Sequence, residues 1–395
     1  MRRGAWIGAG TAACVIVAVI SARHATPADG SPVEPGGAWR WLWAAALVVG
    51  FVLYGAGVLA ARRRGALTLA AAVVVSVVVQ LAPLGAPLLL SRDVYLYWAQ
   101  ARVVTVHHAN PYVVVPGRYA RDPATRIASA QWRTETEDYG PGWVGLGTLP
   151  ALAAGSSHAR AEWLYRVLAA AGVLAAVAVV ARRTRSSSAV AFLGWSPLLA
   201  LHFAGGGHND AWLAVALVLA VAAGDSAGGG LAWAVGASLK SVPVILLPLE
   251  LARARFRFSR RFWAGLVGGG LAIAAVSTAF FGVRWVGAAA VGAHSASPIG
   301  GVHFLTEAGL RHRDAVALGG LVFVAVYAVL LRQAWVNGRA RLSLAATALC
   351  FCSSLLRPWY AIWPVALAAV EEDAFAQVAA YALSAYLLFG DAVHF

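Results

Sequence analysis

Long apolar segments recur along this chain, and they limit its possible folds more than any other feature. The first three lie at about residues 5–22, 41–61 and 66–90, and similar segments continue to the C-terminus. A helix needs about 20 apolar residues to cross a bilayer, where its backbone groups must be hydrogen-bonded internally. Hydrophobic residues make up 60% of the chain and charged residues 12%, which excludes an ordinary soluble protein. The sequence predicts an all-α polytopic membrane protein, one domain over residues 1–395 with about 11 spans.

The basic residues fit this topology better than they fit nucleic-acid binding. The net charge is +14, and Lys240 is the only lysine. Many of the arginines lie in short loops between apolar segments. The positive-inside rule assigns such arginine-rich loops to the cytoplasm, so the charge is explained without nucleic acid. The three cysteines lie in apolar segments and lack the spacing of a disulfide framework or a metal site.

Arginine positions also predict which loops lie outside. Arg2, Arg3 and Arg62–Arg64 place the N-terminus in the cytoplasm and the chain in the cell membrane. Residues 91–140 are too polar to cross, so they form the first large external loop, with juxtamembrane helices. A second external loop is predicted at 283–313. Thr26–Gly37 is the one candidate linker.

The segment around Lys240 poses a topological problem, because both of its ends are predicted to be cytoplasmic. A hairpin of two short helices that meet near Lys240–Pro243 resolves it, since proline breaks helices and broken helices are tolerated inside a membrane protein. The single lysine then lies at the apex of the hairpin, within the protein.

Asp93 is the leading catalytic candidate. It follows an apolar segment directly and opens a predicted helix that Ser91 caps and whose apolar stripe includes Val94 and Trp98. One interpretation is that Asp93 only complements the helix dipole. The other is a general base that takes a proton from an acceptor hydroxyl.

Further polar and aromatic residues fall on the same predicted face and are candidates for substrate binding. They are Tyr95, His107, His108, Asn110, Tyr112, Tyr139, His208, Asn209, Asp210, Arg311, Arg313, Arg357, Trp359 and Tyr360. Ordinary structural roles compete with this interpretation. Asn209 or Asp210 fits a helix N-cap after the glycines, and Tyr112 and Tyr139 fit interfacial anchors.

Four cations could hold a lipid phosphate, and each has an alternative role. Lys240 fits an ion pair that fixes the hairpin as well as a point charge for phosphate. Arg357 fits snorkelling within an aromatic belt, and Arg311 and Arg313 fit a solvated cluster at the end of a loop.

Six short motifs appear in order between about residues 91 and 366. They are Asp-x-Tyr-x-Tyr from Asp93, Asn-Pro-Tyr from Asn110, Tyr-Gly-Pro from Tyr139, Gly-Gly-His-Asn-Asp-Ala from Gly206, Lys-x-x-Pro from Lys240 and Pro-Trp-Tyr-x-x-Trp-Pro from Pro358. In this order the motifs resemble the GT-C membrane glycosyltransferases. The closest resemblance is to the actinobacterial polyprenol-phosphate-mannose-dependent mannosyltransferases of the α-1,6 type, with the α-1,2 type a near neighbour.

The resemblance implies transfer of a mannosyl group from a polyprenyl-phosphate donor to a cell-envelope glycan or glycolipid. It also implies an extracytoplasmic active site, inversion at the anomeric carbon, and Asp93 as the base. Only one acid stands at the first site, in place of a paired Asp-x-Asp, which weakens the case for a divalent metal, and no cofactor is expected. Two alternatives remain: a transporter or flippase of a lipid-linked sugar, and a lipid-linked glycan ligase.

Overall fold

The computed structural model describes residues 3–24, 37–288 and 297–392, and this described part is helical without strands. The first helices are α1 Arg3–Arg23, α2 Gly37–Ala61, α3 Leu69–Leu81, α4 Asp93–Thr105, α5 Pro123–Ile127, α6 Ala130–Arg133, α7 Pro141–Ala154, α8 His158–Thr184, α9 Ser187–Gly194 and α10 Pro197–Gly205. The others are α11 Asp210–Ala223, α12 Ala227–Leu239, α13 Val242–Arg253, α14 Arg260–Phe281, α15 Gly301–Glu307, α16 His312–Asn337, α17 Leu342–Cys352, α18 Ile362–Glu371 and α19 Ala374–Leu387. The prediction of an all-α fold is confirmed.

Five of these helices are long and apolar enough to cross a membrane: α1, α2, α8, α14 and α16. The pair α9 and α10 adds a sixth span if the two helices, bent by 47°, cross together. Shorter apolar helices account for the other predicted spans, so the total of about 11 remains a prediction. Most of the predicted linker Thr26–Gly37 and part of the loop 283–313 lie outside the described residues.

The core lies where α8, α9, α11 and α18 pack together. Helix α18 is buried from Ile362 to Val370, and Trp195 after α9 is fully buried. In contrast, few residues of the apolar segments of α14 and α16 are buried inside the protein. The middle of the chain and α18 thus build a dense helical core, whereas α14 and α16 are sparsely covered.

The predicted break at Lys240 is observed, and the two short helices on either side of it pack against each other. Helices α12 and α13 are separated by Lys240 and Ser241, and Lys240 has an extended backbone conformation. Pro243 lies in the first turn of α13, where its missing N–H donor costs no helical hydrogen bond. The break therefore leaves the lysine side chain free to point away from both helix axes.

Helix α4 differs from the amphipathic juxtamembrane helix that its sequence predicts. Every residue from Val94 to Val103 is buried, not only the apolar stripe. The long loop folds over the helix, and Arg102 pairs with Asp122 at 2.9 Å between Nε and Oδ1. Because α4 is enclosed by its own loop, α7 and α8, its first residue is held in a fixed place.

Candidate functional site

Asp93 stands at the start of α4 and faces a histidine from a distant part of the chain. Its backbone N–H donates to Ser91 Oγ at 3.2 Å, although the N-cap residue of α4 is Arg92 and not the predicted Ser91. Its Oδ2 lies 3.5 Å from Nδ1 of His208, a fully buried residue that stacks on Trp359 with 3.6 Å between ring centroids. The Asp93 side chain is only 15% exposed, and it lines an opening at the surface.

That opening is a cavity of about 400 Å³, here called the polar cavity. Asp93, Asp138, Arg357, Trp359 and Tyr360 are among the residues that line it. It therefore brings together acids from the first loop and a cation and two aromatics from the C-terminal part of the chain. The predicted association of Asp93 with Arg357, Trp359 and Tyr360 is observed.

A second cavity, of about 560 Å³, adjoins the first and is here called the apolar cavity. Its walls are mainly apolar side chains of α13, α16 and α17 and of the segment after α14, such as Val244, Phe323, Leu349 and Trp285. Lys240 is its charged lining residue from the hairpin. Asp138, Tyr139, Leu355 and Tyr360 line both cavities, so the two spaces meet at these residues.

Lys240 forms the ion pair that one interpretation of the sequence predicts. Its Nζ lies 2.9 Å from Oδ1 of Asp210, which also accepts a hydrogen bond from Trp363 Nε1 at 2.9 Å. The ammonium stands 4.2 Å from the ring centroid of Tyr360 and 5.5 Å from that of Tyr139. Its side chain is still 19% exposed, toward the apolar cavity. Lys240 is thus both paired and available to a ligand.

Asp210 does not serve the helix cap that the sequence also allows. It is the first residue of α11, but its carboxylate is committed to Lys240 and Trp363. Asn209 makes no side-chain capping bond, and its Oδ1 lies 3.5 Å from the Tyr97 hydroxyl. Asn209 therefore holds the N-cap position without a side-chain capping bond, and the Asp210 carboxylate binds the charged lysine in place of a backbone N–H.

Asp138 is a site residue that the sequence reasoning missed. It lines both cavities, and its Oδ1 is buried without a hydrogen-bond partner among the described residues. Burial raises the pKa of Asp138 to about 6, although the nearby Lys240 opposes the shift. Its position directly before the Tyr-Gly-Pro motif was the available signal.

The electrostatics of Asp93 differ from those of Asp138. Burial raises the pKa of the Asp93 carboxyl, but the hydrogen bond and charge of His208, the bond to Ser91 and the charge of Arg357 outweigh it. The net pKa lies below the ordinary value. The site therefore holds one strongly ionised carboxylate and one that titrates near pH 6.

Two glycines fix the loops that carry these residues. Gly140 donates its N–H to Leu239 O at 3.2 Å, and a Cβ on it would lie 2.0 Å from Ser238 O. Gly207 has φ +76°, and a Cβ there would lie 2.4 Å from the Val94 side chain. Both positions need glycine for close packing of the chain.

Several predicted substrate-binding residues have structural partners away from the cavities. The Tyr95 hydroxyl donates to Glu162 at 2.8 Å, and His107 Nε2 lies 2.9 Å from Asp122. Asn110 donates to Phe281 O at 2.7 Å, and His108 is exposed. Tyr95, His107 and Asn110 stabilise the first loop, because their side chains bond within it or to neighbouring helices. Tyr112 supports the site indirectly, since its hydroxyl donates to Tyr139 O at 3.1 Å.

Arg311 and Arg313 are not brought to Asp93. Their side chains are 70% and 74% exposed, and both lie beside Asp314. Neither lines the polar or the apolar cavity. The interpretation as a solvated cluster at the start of a helix matches this placement, and the remaining cations near the site are Lys240 and Arg357.

The described residues do not form a cluster of side chains that could bind a metal ion. Among residues 3–24, 37–288 and 297–392, no group of three or more His, Cys, Asp or Glu side chains is placed to hold an ion. The expectation that no metal is needed stays a prediction.

A family model described as alpha-(1->6)-mannopyranosyltransferase, N-terminal domain, matches residues 6–255. The match covers more than half of the chain and includes Asp93, Asp138, Asp210 and Lys240. Comparisons with curated proteins and with solved structures give no match. The order of motifs, the helical fold and the family match agree, and the chain belongs to the MptA_B family of alpha-(1->6)-mannopyranosyltransferases and is a mannosyltransferase of the GT-C type.

Proposed function

We propose that this protein transfers mannose from a polyprenyl-phosphate donor to a cell-envelope glycan or glycolipid on the extracytoplasmic face of the membrane. The carrying observation is the meeting of an apolar cavity and a polar cavity at Asp138, Tyr139 and Tyr360. A lipid-linked sugar has an apolar chain and a polar end, and an acceptor glycan is polar throughout. The junction is where these two substrates would meet.

The apolar cavity suits the prenyl chain of the donor. Val244, Phe323 and Leu349 offer it apolar contacts, and each buried methylene of a ligand contributes about 0.8 kcal/mol. Helices α14 and α16, which flank this side of the molecule, have few buried residues and would face lipid. A donor could therefore reach the cavity from the bilayer without leaving it.

The donor phosphate would lie close to Lys240, with Arg357 on the side of the polar cavity. When the bond from the anomeric carbon to the phosphate oxygen breaks, the lipid phosphate gains negative charge. A fixed cation stabilises that charge more strongly in a water-poor site than in water. The pairing with Asp210 holds the lysine in place before the donor arrives.

Asp93 is proposed as the general base. The acceptor hydroxyl attacks the anomeric carbon, its proton passes to the Asp93 carboxylate, and polyprenyl phosphate leaves with the electron pair of the broken bond. A single displacement of this kind inverts the anomeric configuration. The lowered pKa of Asp93 keeps it ionised and so ready to accept a proton, but also makes it a weak base. Asp138, with its higher pKa, is well placed to receive the proton afterwards.

The proposed topology is multi-pass, with about 11 spans, a cytoplasmic N-terminus and both cavities on the outer side. Arg182 and Arg183 lie in the last turn of α8, whose first turn follows the first loop, and Arg62 directly follows α2; these positions support the orientation. Family membership supports sugar transfer over the alternatives of a flippase or a glycan ligase.

The test is a membrane assay with radiolabelled polyprenyl-phosphate-mannose and wild-type protein, Asp93→Asn and His108→Ala. Transfer should occur with the wild type and with His108→Ala, whose exposed side chain lies outside both cavities, and should be lost with Asp93→Asn. Full transfer by Asp93→Asn would refute the base. Use of a nucleotide sugar in place of the lipid donor would refute the donor, and label that crosses the membrane without a new glycosidic bond would indicate a flippase.

A further inference from the structure

A third cavity, of about 660 Å³, lies beside the start of α4 and is lined by three arginines and a histidine. They are Arg92, Arg126, Arg133 and His158, and we call this site the basic pocket. The remaining lining residues are apolar apart from Ser129, and no carboxylate lines the pocket. Side chains of like charge gathered in one space repel each other, and a bound anion removes that cost.

Two polar groups of the basic pocket are buried and unused. Arg92 Nε and Ser129 Oγ have no hydrogen-bond partner among the described residues. Arg133, by contrast, is held in place, because its guanidinium donates to the carbonyl oxygens of Ala128 and Arg126, each at 2.8 Å. The pocket thus combines a fixed cation with free donors, which is the arrangement that binds a phosphate oxygen.

The position of the pocket points to a lipid. His158 is the first residue of α8, a helix long and apolar enough to cross a membrane, so the pocket lies at the level where lipid headgroups begin. On the adjoining helices, Leu152 is 63% exposed and Trp163 is 52% exposed. Exposed tryptophan and leucine on helices next to a cationic site at the end of a spanning helix are typical of contact with lipid chains and headgroups.

We propose that the basic pocket binds the phosphate of an anionic phospholipid headgroup, whose chains lie along the exposed sides of α7 and α8. This site is separate from the donor site, because none of its lining residues lines the polar or the apolar cavity. Arg92 directly precedes Asp93, so a bound headgroup also fixes the first turn of α4. The proposal does not depend on the identity of the sugar donor.

The test compares lipid retention by full-length protein purified from nanodiscs of phosphatidylcholine with and without phosphatidylglycerol. Native mass spectrometry counts the phosphatidylglycerol molecules that stay bound. The pocket variant is Arg92→Gln/Arg126→Gln, and the matched control is Arg311→Gln/Arg313→Gln, which removes the same charge from an exposed pair elsewhere. The pocket variant should bind phosphatidylglycerol at least about tenfold more weakly than the wild type, and the control should bind like the wild type.

Three outcomes would overturn the proposal. They are equal retention of both lipids by the wild type, equal loss in the two double variants, and displacement of phosphatidylglycerol by millimolar inorganic phosphate in detergent, which would indicate a site for free phosphate. The wild-type comparison needs no variant, so the proposal stays testable if the pocket variant folds poorly. Lipid retention is measured without sugar transfer, so failure of the proposed function would leave this result unaffected.

Discussion

The polar and the apolar cavities share a wall but differ in almost every property. The polar cavity holds Asp93, Asp138 and Arg357, whereas apolar side chains of α13, α16 and α17 line most of the apolar cavity around a single lysine. An enzyme that joins a membrane-bound donor to a polar acceptor needs both environments at one point. The site therefore lies where the surface of the protein changes from apolar to polar, and changes on either side of that boundary should affect different substrates.

The largest loss of activity is expected from a change in the polar cavity. Asp93→Asn should lower the rate of transfer by roughly 10²–10⁴-fold, because the amide cannot take the proton of the acceptor hydroxyl. The rate with saturating donor in a membrane assay measures this loss. The control is Asp314→Asn, a partly exposed acid away from both cavities, which should keep full activity. A similar loss in both variants would contradict the special role of Asp93.

The second-largest loss of activity is expected from a change at Lys240, close to where the two cavities meet. Lys240→Met should lower transfer by roughly 10²-fold, since it removes the cation nearest to the proposed leaving group. It also leaves the buried Asp210 without its ion pair, which should lower the free energy of unfolding by about 3–5 kcal/mol.

The double variant Lys240→Met/Asp210→Leu separates these two roles. Thermal unfolding should show stability restored, because the unpaired carboxylate is gone, while transfer should remain low. Recovery of both stability and transfer would mean that Lys240 is only a structural ion-pair partner.

A smaller effect is expected from filling the apolar cavity. Gly320 lines it, and a Cβ there would meet no atom within 4 Å. Gly320→Leu should raise the KM for a long-chain donor by roughly tenfold, because it displaces about two methylenes of the lipid. Gly268→Leu is the control, since that glycine is equally open but does not line the cavity. An unchanged KM for the Gly320 variant would place the lipid chain elsewhere.

The smallest effect is a change of pH dependence. The raised pKa of Asp138, about 6, means that its carboxylate is lost as the pH falls through that value, whereas the lowered pKa of Asp93 leaves that group ionised there. Wild-type transfer should therefore decline below about pH 6, by a few-fold per unit, and Asp138→Asn should remove this step from the profile. If the activity of Asp138→Asn still declined below about pH 6, another titrating group would be responsible for the decline.

Local patterns predicted some parts of this site well. Apolar segments and a proline placed the break of the hairpin at Lys240, because both features act over a few residues of the chain. The helix starts at Asp93 and Asp210 were likewise predicted from features within a few residues of the chain. The cap interpretation of Asp210 failed because its true partner, Lys240, comes from another helix, and no local rule gives that distance.

The predicted topology was less successful in showing which polar residues lie close to Asp93. His107, Asn110, Arg311 and Arg313 were expected beside Asp93, but the loop uses the first two for its own packing and the last two remain in solvent. Asp138 was missed because an acid in a polar loop looks solvated, and only the docking of Gly140 against Ser238 buries it between the cavities.

The sequence by itself determined that this chain is helical and apolar enough for a membrane, that it breaks at Lys240, and that it carries the ordered motifs of a GT-C mannosyltransferase. These properties follow from composition, from residue order and from forces that act within one helix. Only the tertiary structure decided that Asp93 meets His208 and Arg357, that Lys240 pairs with Asp210, and that two cavities meet at Asp138. Those contacts join residues more than a hundred positions apart or from separate helices, and their geometry depends on how all the helices pack.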